Sequence, residues 1–232
     1  MTADPIYLNA GIYTVTDAAR LTRVSAGRIR RWLKGYRYKS RKKKQYASPP
    51  LWNGQFKPID GKLALGFLDL IEVKFVDAFL NAGVSWDMIH TARDCANEWF
   101  PAESHPFCTK RFITDGREIF VELHEKTGER TLVEIVKRQR MFAEIIQSFI
   151  KELEFGAENI VERWWPCGKD HRIVVDPKRN FGQPTIFDDG VPTGVLARSV
   201  KANGSTDEVA RWYEITPEAV KEAVEFEEKL VA

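Results

Sequence analysis

The chain has 232 residues, 44% of them hydrophobic and 12% aromatic, which is enough apolar material for one large domain or two to three small ones and argues against wholesale disorder. Its net charge of +2 conceals a split: residues 1–60 hold 13 Lys/Arg against Asp4, Asp17 and Asp60, a net +10, whereas residues 61–232 hold 22 against 30 Asp/Glu, a net −8. No apolar run reaches the roughly 18 residues of a membrane span, and the start at Met1–Pro5 lacks the basic flank and apolar stretch of a secretory signal, so a cytoplasmic protein with no membrane partner is expected.

In chain order, the first element follows Tyr13. Thr16 or Asp17 is expected to cap a short helix through Val24, with Ala18, Ala19 and Leu21 as its inner face. Ser25 caps a second helix to Lys34, whose Ile29, Trp32 and Leu33 share one face, and Gly35 stops it. Tyr36–Ile59 is read as a basic hairpin or loop beside this pair, carrying Arg37, Lys39, Arg41, Lys42, Lys43 and Lys44 with interleaved tyrosines. A strongly apolar helix follows from Gly66 to Leu80, then a helix capped by Ser85 that runs toward Trp99 and stops at Pro101.

Farther on, Asp115-Gly116 between two β-prone runs predicts a hairpin over 112–121, and Thr131–Glu154 reads as one long helix with a broad apolar stripe. Residues 160–192 are strand- and turn-rich, with Arg172–Val175 and Thr185–Phe187 as strands and a turn at Asp188-Asp189-Gly190. Three short helices close the chain: Thr193–Ala202, Ser205–Tyr213 and Thr216–Val231. Their expected core is Val195, Leu196, Val200, Val209, Trp212, Tyr213, Val220 and Val224. The Trp164-Trp165 pair fits either an interface or a core.

The helix pair over residues 14–34 carries the clearest chemistry. Reading DNA requires a helix that enters the major groove while its opposite face is anchored. Ile29, Trp32 and Leu33 supply the anchor; Ser25, Arg28, Arg31 and Lys34 are expected outward with Arg30 flanking, and Thr16 joins the same surface. Arginine takes guanine edges or phosphates, and the Arg37–Lys44 run adds phosphate contacts. A solvated helical hairpin is the alternative.

At these residues a resemblance emerges. Tyr13–Leu21 followed by Val24–Trp32, then Phe67–Glu72 and Ala82–Ser85, resemble the winged helix-turn-helix start of MerR-type regulators over about residues 11–97. That likeness implies that the second helix and the wing contact DNA, with Arg30 at the phosphate backbone; the wing here is unusually long and lysine-rich. Gly182–Ile186, Val191–Thr193, Ala202–Ala210, Tyr213 and Ile215–Ala223 are similar to the family of domains of unknown function numbered 433. That family is three-helical and antitoxin-like, and its usual Gly-Thr-Arg after the first strand is here Asp188-Asp189-Gly190. The two in this order resemble VapB-type antitoxins of the subfamily numbered 45, which implies a PIN-domain ribonuclease toxin as partner.

Physical chemistry alone says less about the C-terminal helices. Asp207, Glu208, Glu214, Glu218, Glu222, Glu225, Glu227 and Glu228 repel phosphate, so a protein-binding face is expected there, with Trp212, Tyr213, Glu222 and Phe226 as its contacts. A solvated, salt-bridged surface explains the same acids equally well. The long helix over 131–154 would make a homodimer, as a symmetric operator requires.

Catalytic signals are lacking. Cys95, Cys108 and Cys167 form no CxxC pair, which fits a reducing compartment. His90, His105, His124 and His171 show no metal spacing, although His105 and Cys108 form a local pair, and the sequence holds no GxSxG, P-loop or GxGxxG motif. No enzymatic activity, cofactor, metal or catalytic residue is expected. The chain is therefore read as α+β, mainly α: a winged helix-turn-helix DNA-binding domain over 1–100, a hairpin and long helix for dimerisation or linking over 101–165, and a toxin-binding three-helix domain over 166–232. Its expected role is the antitoxin of a type II pair that autorepresses its operon at a double-stranded DNA operator. The rival reading is a stand-alone MerR-type regulator with an effector pocket among Trp86, Trp99, Phe100 and the hairpin.

Overall fold

A computed structural model describes residues 9–39, 45–99, 104–112, 143–149 and 151–231. The chain is stitched at its start: β1 (Tyr13–Thr14) pairs antiparallel with β4 (Ala64–Leu65), Tyr13 opposite Leu65. α1 (Val15–Thr22) begins with a capping box. The Thr14 hydroxyl accepts from the Asp17 amide, and the Asp17 carboxylate accepts from the Thr14 amide. The cap is thus Thr14 rather than Thr16 or Asp17, and the helix ends at Thr22, before Val24, where Arg23 turns left-handed at φ 61°.

α2 (Ala26–Lys34) starts at the Ser25 cap and ends at Gly35, and it buries Ile29, Trp32 and Leu33. β2 (Tyr36–Lys39) and β3 (Gln45–Ser48) form an antiparallel hairpin with Tyr36 opposite Ser48. This hairpin is shorter than Tyr36–Ile59. Past it the chain folds back on α2, with the Leu51 amide donating to the Trp32 carbonyl at 2.7 Å and Leu51, Trp52 and Phe56 buried. α3 (Phe67–Asn81) is buried over most of its surface, and α4 (Trp86–Trp99) starts where the Ser85 hydroxyl accepts from the Met88 amide. The main core gathers aromatic rings around α3, with Phe75 stacked on Phe149 at 3.9 Å between centroids.

The expected hairpin over 112–121 lies outside the described residues apart from Phe112, as does the first half of the expected 131–154 helix. Residues 143–149 and 151–152 are helical, and Ile146 and Phe149 enter the core. The helix does not reach Glu154, because Leu153–Phe155 forms β5. It is the edge of a four-stranded antiparallel sheet ordered β5, β6 (Val161–Trp164), β7 (Ile173–Val175), β8 (Pro184–Ile186). The sheet takes two strands from each side of residue 165 and so crosses the boundary drawn there from sequence. Trp164 and Trp165 are both buried.

Three helices pack on this sheet: α5 (Thr193–Asn203), α6 (Thr206–Tyr213) and α7 (Pro217–Val231), with Ser205 capping α6. Leu196, Val209, Val220, Ala223 and Phe226 form a second core with Ile173 and Ile186. Trp212, expected in that core, is 58% exposed; it lies two residues, about 200° round the helix, from buried Ala210. The architecture is α+β, mainly α. Among the described residues no helix is long and apolar enough to cross a membrane. The N- and C-terminal parts touch directly: Tyr13 Oη donates to the Gly182 carbonyl at 2.7 Å, Arg20 pairs with Glu227 at 3.4 Å, and Arg23 donates to the Lys229 carbonyl at 3.2 Å.

Candidate nucleic-acid interface

Helical geometry divides α2 cleanly. With Ile29, Trp32 and Leu33 inward, the opposite face is Gly27, Arg30, Arg31 and Lys34, all exposed. Nothing lies within 4 Å of a Cβ built on Gly27, so the first turn of that face is open space. Ser25 is exposed at the helix start, its hydroxyl accepting from the Arg28 amide at 3.4 Å. Arg31 Nε reaches back to the Gly27 carbonyl at 3.4 Å, which lays its side chain along the helix.

Arg28 and Arg30 exchange the places expected of them. Arg28 sits over the Trp32 ring at 5.0 Å and pairs with Asp77 of α3 at 2.8 Å, so it flanks the face and ties α2 to the helix behind it. Arg30 is the one that lies wholly outward. The sequence hint for this was available: Arg28 lies four residues before inward Trp32, where an arginine is drawn over the ring. Thr16 is exposed on α1, and Arg37 is exposed at the start of the hairpin. Lys39 ends β2, while Arg41, Lys42, Lys43 and Lys44 lie outside the described residues.

Beside the exposed face is a hollow of about 180 Å³ lined by Arg28, Arg31, Trp32, Tyr36 and Trp86. Trp86 stacks on Trp32 at 6.1 Å and takes the edge of His90 at 4.9 Å. Trp86 therefore packs against the α2 surface; the Trp99 side chain and Phe100, the other members of the expected effector pocket, lie outside the described residues.

A buried polar network holds the segment after the β2–β3 hairpin against α3. Asp69 accepts from Trp52 Nε1 at 2.8 Å, the Gln55 amide at 3.0 Å and the Gly66 amide at 2.8 Å, and meets His105 Nε2 at 2.9 Å. One turn on, Glu72 accepts from Arg93 at 3.4 Å and from the Phe107 amide at 3.2 Å. Burial pushes the Glu72 carboxyl above the ordinary range, against the pull of Arg93. Neither acid stands out in the sequence, because each is flanked by apolar residues in the first turns of α3. The His105–Cys108 pair is closed within this network: Cys108 Sγ donates to the Leu68 carbonyl at 3.4 Å, and burial holds its thiol well above the usual range. Among the described residues no group of three His, Cys, Asp or Glu is placed to hold a metal ion.

On the C-terminal side the expected protein-binding set separates. Trp212 is exposed and Tyr213 is half-buried, its hydroxyl 3.3 Å from Ser199 Oγ. Glu222 is not an outward contact: it accepts from the Arg172 amide at 3.0 Å and pairs with His171 at 3.1 Å and the Arg172 guanidinium at 3.4 Å. Phe226 is 6% exposed and lines a cleft of about 450 Å³ with Leu21, Arg23, Trp164 and Lys229. Glu227 is likewise held inward by the Thr193 hydroxyl and Arg20. The outward acids are Asp207, Glu208, Glu214, Glu218, Glu225 and Glu228.

Residues 173–226 match the family described as "Protein of unknown function (DUF433)". A protein of Mycobacterium tuberculosis named "Putative antitoxin VapB45" is 24% identical over 225 residues, with 92% of each chain covered. The X-ray crystal structure of RV2018 from Mycobacterium tuberculosis superposes with a TM-score of 0.71 at 22% identity, covering 94% of this chain and 98% of the other, so the two share a fold. The chain is thus VapB45-like along nearly its whole length, with a DUF433 region at its C-terminal end.

Proposed function

We propose that this protein is the antitoxin of a type II toxin–antitoxin pair, which binds and inhibits a PIN-domain ribonuclease and represses its own operon. The observation that supports it most directly is the outward face of α2, where Arg30, Arg31 and Lys34 stand on a helix anchored by Ile29, Trp32 and Leu33, in a chain similar throughout to a protein named as an antitoxin. α1, α2 and the β2–β3 hairpin act as a MerR-like winged helix-turn-helix. α2 enters the major groove, with Arg31 at a base edge and Arg30 and Lys34 at phosphates; Ser25, Arg37, Lys39, Arg41, Lys42, Lys43 and Lys44 add backbone contacts. A homodimer places two such helices on a two-fold operator. The C-terminal helices hold the nuclease through Trp212, Tyr213 and the outward acids, whose charge opposes a basic RNA groove.

The test has two arms. Fluorescence anisotropy with a duplex from upstream of the protein's own gene should show binding that weakens steeply with salt, and the protein encoded next to it should co-purify and lose ribonuclease activity. Absence of duplex binding at low ionic strength removes the DNA part; failure of the adjacent product to associate removes the antitoxin part.

A further inference from the structure

The most unusual backbone in the C-terminal region is the turn Asn180–Gly182, between β7 and β8. Asn180 and Phe181 are consecutive non-glycine residues in the left-handed region, at φ 47° and 55°, followed by Gly182 at φ 81°. Asparagine tolerates this conformation; a bulky aromatic does so only when its surroundings force it. Here they do. The Phe181 carbonyl accepts from the Ile12 amide at 3.1 Å, the Gly182 carbonyl accepts from Tyr13 Oη at 2.7 Å, and Asn180 Nδ2 donates to the Gly190 carbonyl at 2.9 Å. The turn is therefore fixed from two sides, and what it displays is a phenyl ring left 67% exposed. Folding gains little from an aromatic in solvent on a strained turn, and strain kept in this way accompanies functional contacts.

Both cations beside the ring are already engaged by other groups. Lys178 is paired with Glu162 at 3.2 Å, and Arg179 donates to the Phe187 carbonyl at 2.7 Å while lying over the Phe187 ring. The turn joined to it through Asn180 carries Asp188 and Asp189, both exposed. The feature is a rigid aromatic knob with an acidic neighbour.

We propose that Phe181 is an anchor for a protein partner, inserting into an apolar pocket set in a cationic surface, with Asp188 and Asp189 meeting the surrounding cations. Resting on the antitoxin reading, that partner is the nuclease toxin, whose substrate-binding surface must be cationic to hold RNA. This places a contact on the sheet end of the C-terminal unit, apart from Trp212 on α6. It also joins partner binding to the DNA-binding part, because the knob hangs from Ile12 and Tyr13 immediately before α1.

The experiment uses the full-length protein and the purified product of the adjacent gene, titrated calorimetrically. Phe181→Gly removes the ring and relieves the left-handed strain together, so it should raise Tm by about 2–4 °C while weakening binding at least about 10-fold, as expected of a buried aromatic anchor. D188K/D189K should slow association and flatten its salt dependence. A Phe181→Gly protein that binds within about two-fold of the parent overturns the anchor and leaves the antitoxin reading standing. A fall in Tm shows that the ring packs for stability and overturns it too, as does a shift from dimer to monomer, which assigns the knob to a second copy. A parent protein that does not bind the adjacent product brings down both readings.

Discussion

Arg28 of α2 and Asp77 of α3 are joined at 2.8 Å, so the arginine nearest the Ser25 cap serves the fold while Arg30 and Lys34, farther along, face outward. The pair is partly solvated, with side chains 34% and 19% exposed. Replacing Arg28 with alanine should cost about 0.5 kcal/mol after allowance for screening, a loss of 1–2 °C in Tm, with a small change in DNA affinity. Arg30→Ala and Lys34→Ala should leave Tm unchanged and each lower the salt slope of DNA binding by about one. Arg31→Ala should cost about 1–3 kcal/mol of sequence discrimination through loss of a base-edge contact. Anisotropy across a salt series, alongside thermal melts, separates the three outcomes. Equal effects at Arg28 and Arg30 would contradict the division of α2 into a flank and a face.

Asp69 is fully buried and receives four polar groups from three separate segments. Asp69→Ala strands the Trp52 indole N–H and two backbone amides without partners, and the expected loss is about 3–5 kcal/mol. For a chain of this size that is a fall of roughly 10 °C in Tm. The segment after the β2–β3 hairpin, which holds Trp52 and Gln55, should loosen first. Hydrogen exchange should show the Gln55 and Gly66 amides losing protection before those of α6 and α7. A uniform loss across the chain would mean that Asp69 does not have this local role.

Glu72 supplies a pH dependence of definite sign. Its carboxyl titrates above the ordinary 4.5 in the folded protein because burial disfavours the charged form. The folded state therefore holds a proton that the unfolded chain has released, so stability from this group is greatest below pH 4.5 and declines as pH rises from there toward the folded value. His90 acts in a different window: burial lowers its folded pKa below 6.5, so its contribution is lost as pH falls below 6.5. The Glu72→Gln variant, melted from pH 4.5 to 8, should lack the decline with rising pH while keeping the His90 component. A parent-minus-variant curve that is flat would show that Glu72 titrates at its ordinary value.

The two ends of the fold were legible in the sequence for one reason: hydroxyl caps and glycine stops are local signals. Ser25, Ser85, Ser205 and Gly35 each sit where a helix begins or ends. α1 was misplaced because Thr14, Thr16 and Asp17 are all good caps, and only the reciprocal Thr14–Asp17 bonds select among them. Leu153 reads as helix because it continues the stripe of Ile146 and Phe149; pairing of Leu153 with Trp164 across the sheet overrides that local pattern. In the candidate site, burial of Ile29, Trp32 and Leu33 follows from spacing alone. The place of Arg28 over Trp32 is a local i, i+4 signal, but its tie to Asp77, 49 positions away, and that of Glu222 to Arg172 are not visible in one segment.

Gly35 decides whether the hairpin meets α2 correctly. Its backbone lies at φ 68° and ψ 179°, a region open to glycine and essentially closed to other residues. A methyl group there would stand 2.4 Å from the Ser48 carbonyl oxygen and 2.9 Å from the Pro49 carbonyl carbon, both of them backbone and unable to swing aside. Gly35→Ala must therefore move the end of β3 away from α2, at a cost of about 1–3 kcal/mol from the conformation alone and more from the contact. The basic hairpin is then displaced while Arg30, Arg31 and Lys34 stay on an intact α2. Duplex binding should lose affinity across all sequences, and its salt slope should fall by about three, the same fall expected when Lys42, Lys43 and Lys44 are changed to alanine. Discrimination between operator and unrelated duplex should survive if, as proposed, the hairpin makes backbone contacts and α2 meets the base edges. If discrimination collapsed and the salt slope held, the hairpin would read the bases and α2 the backbone.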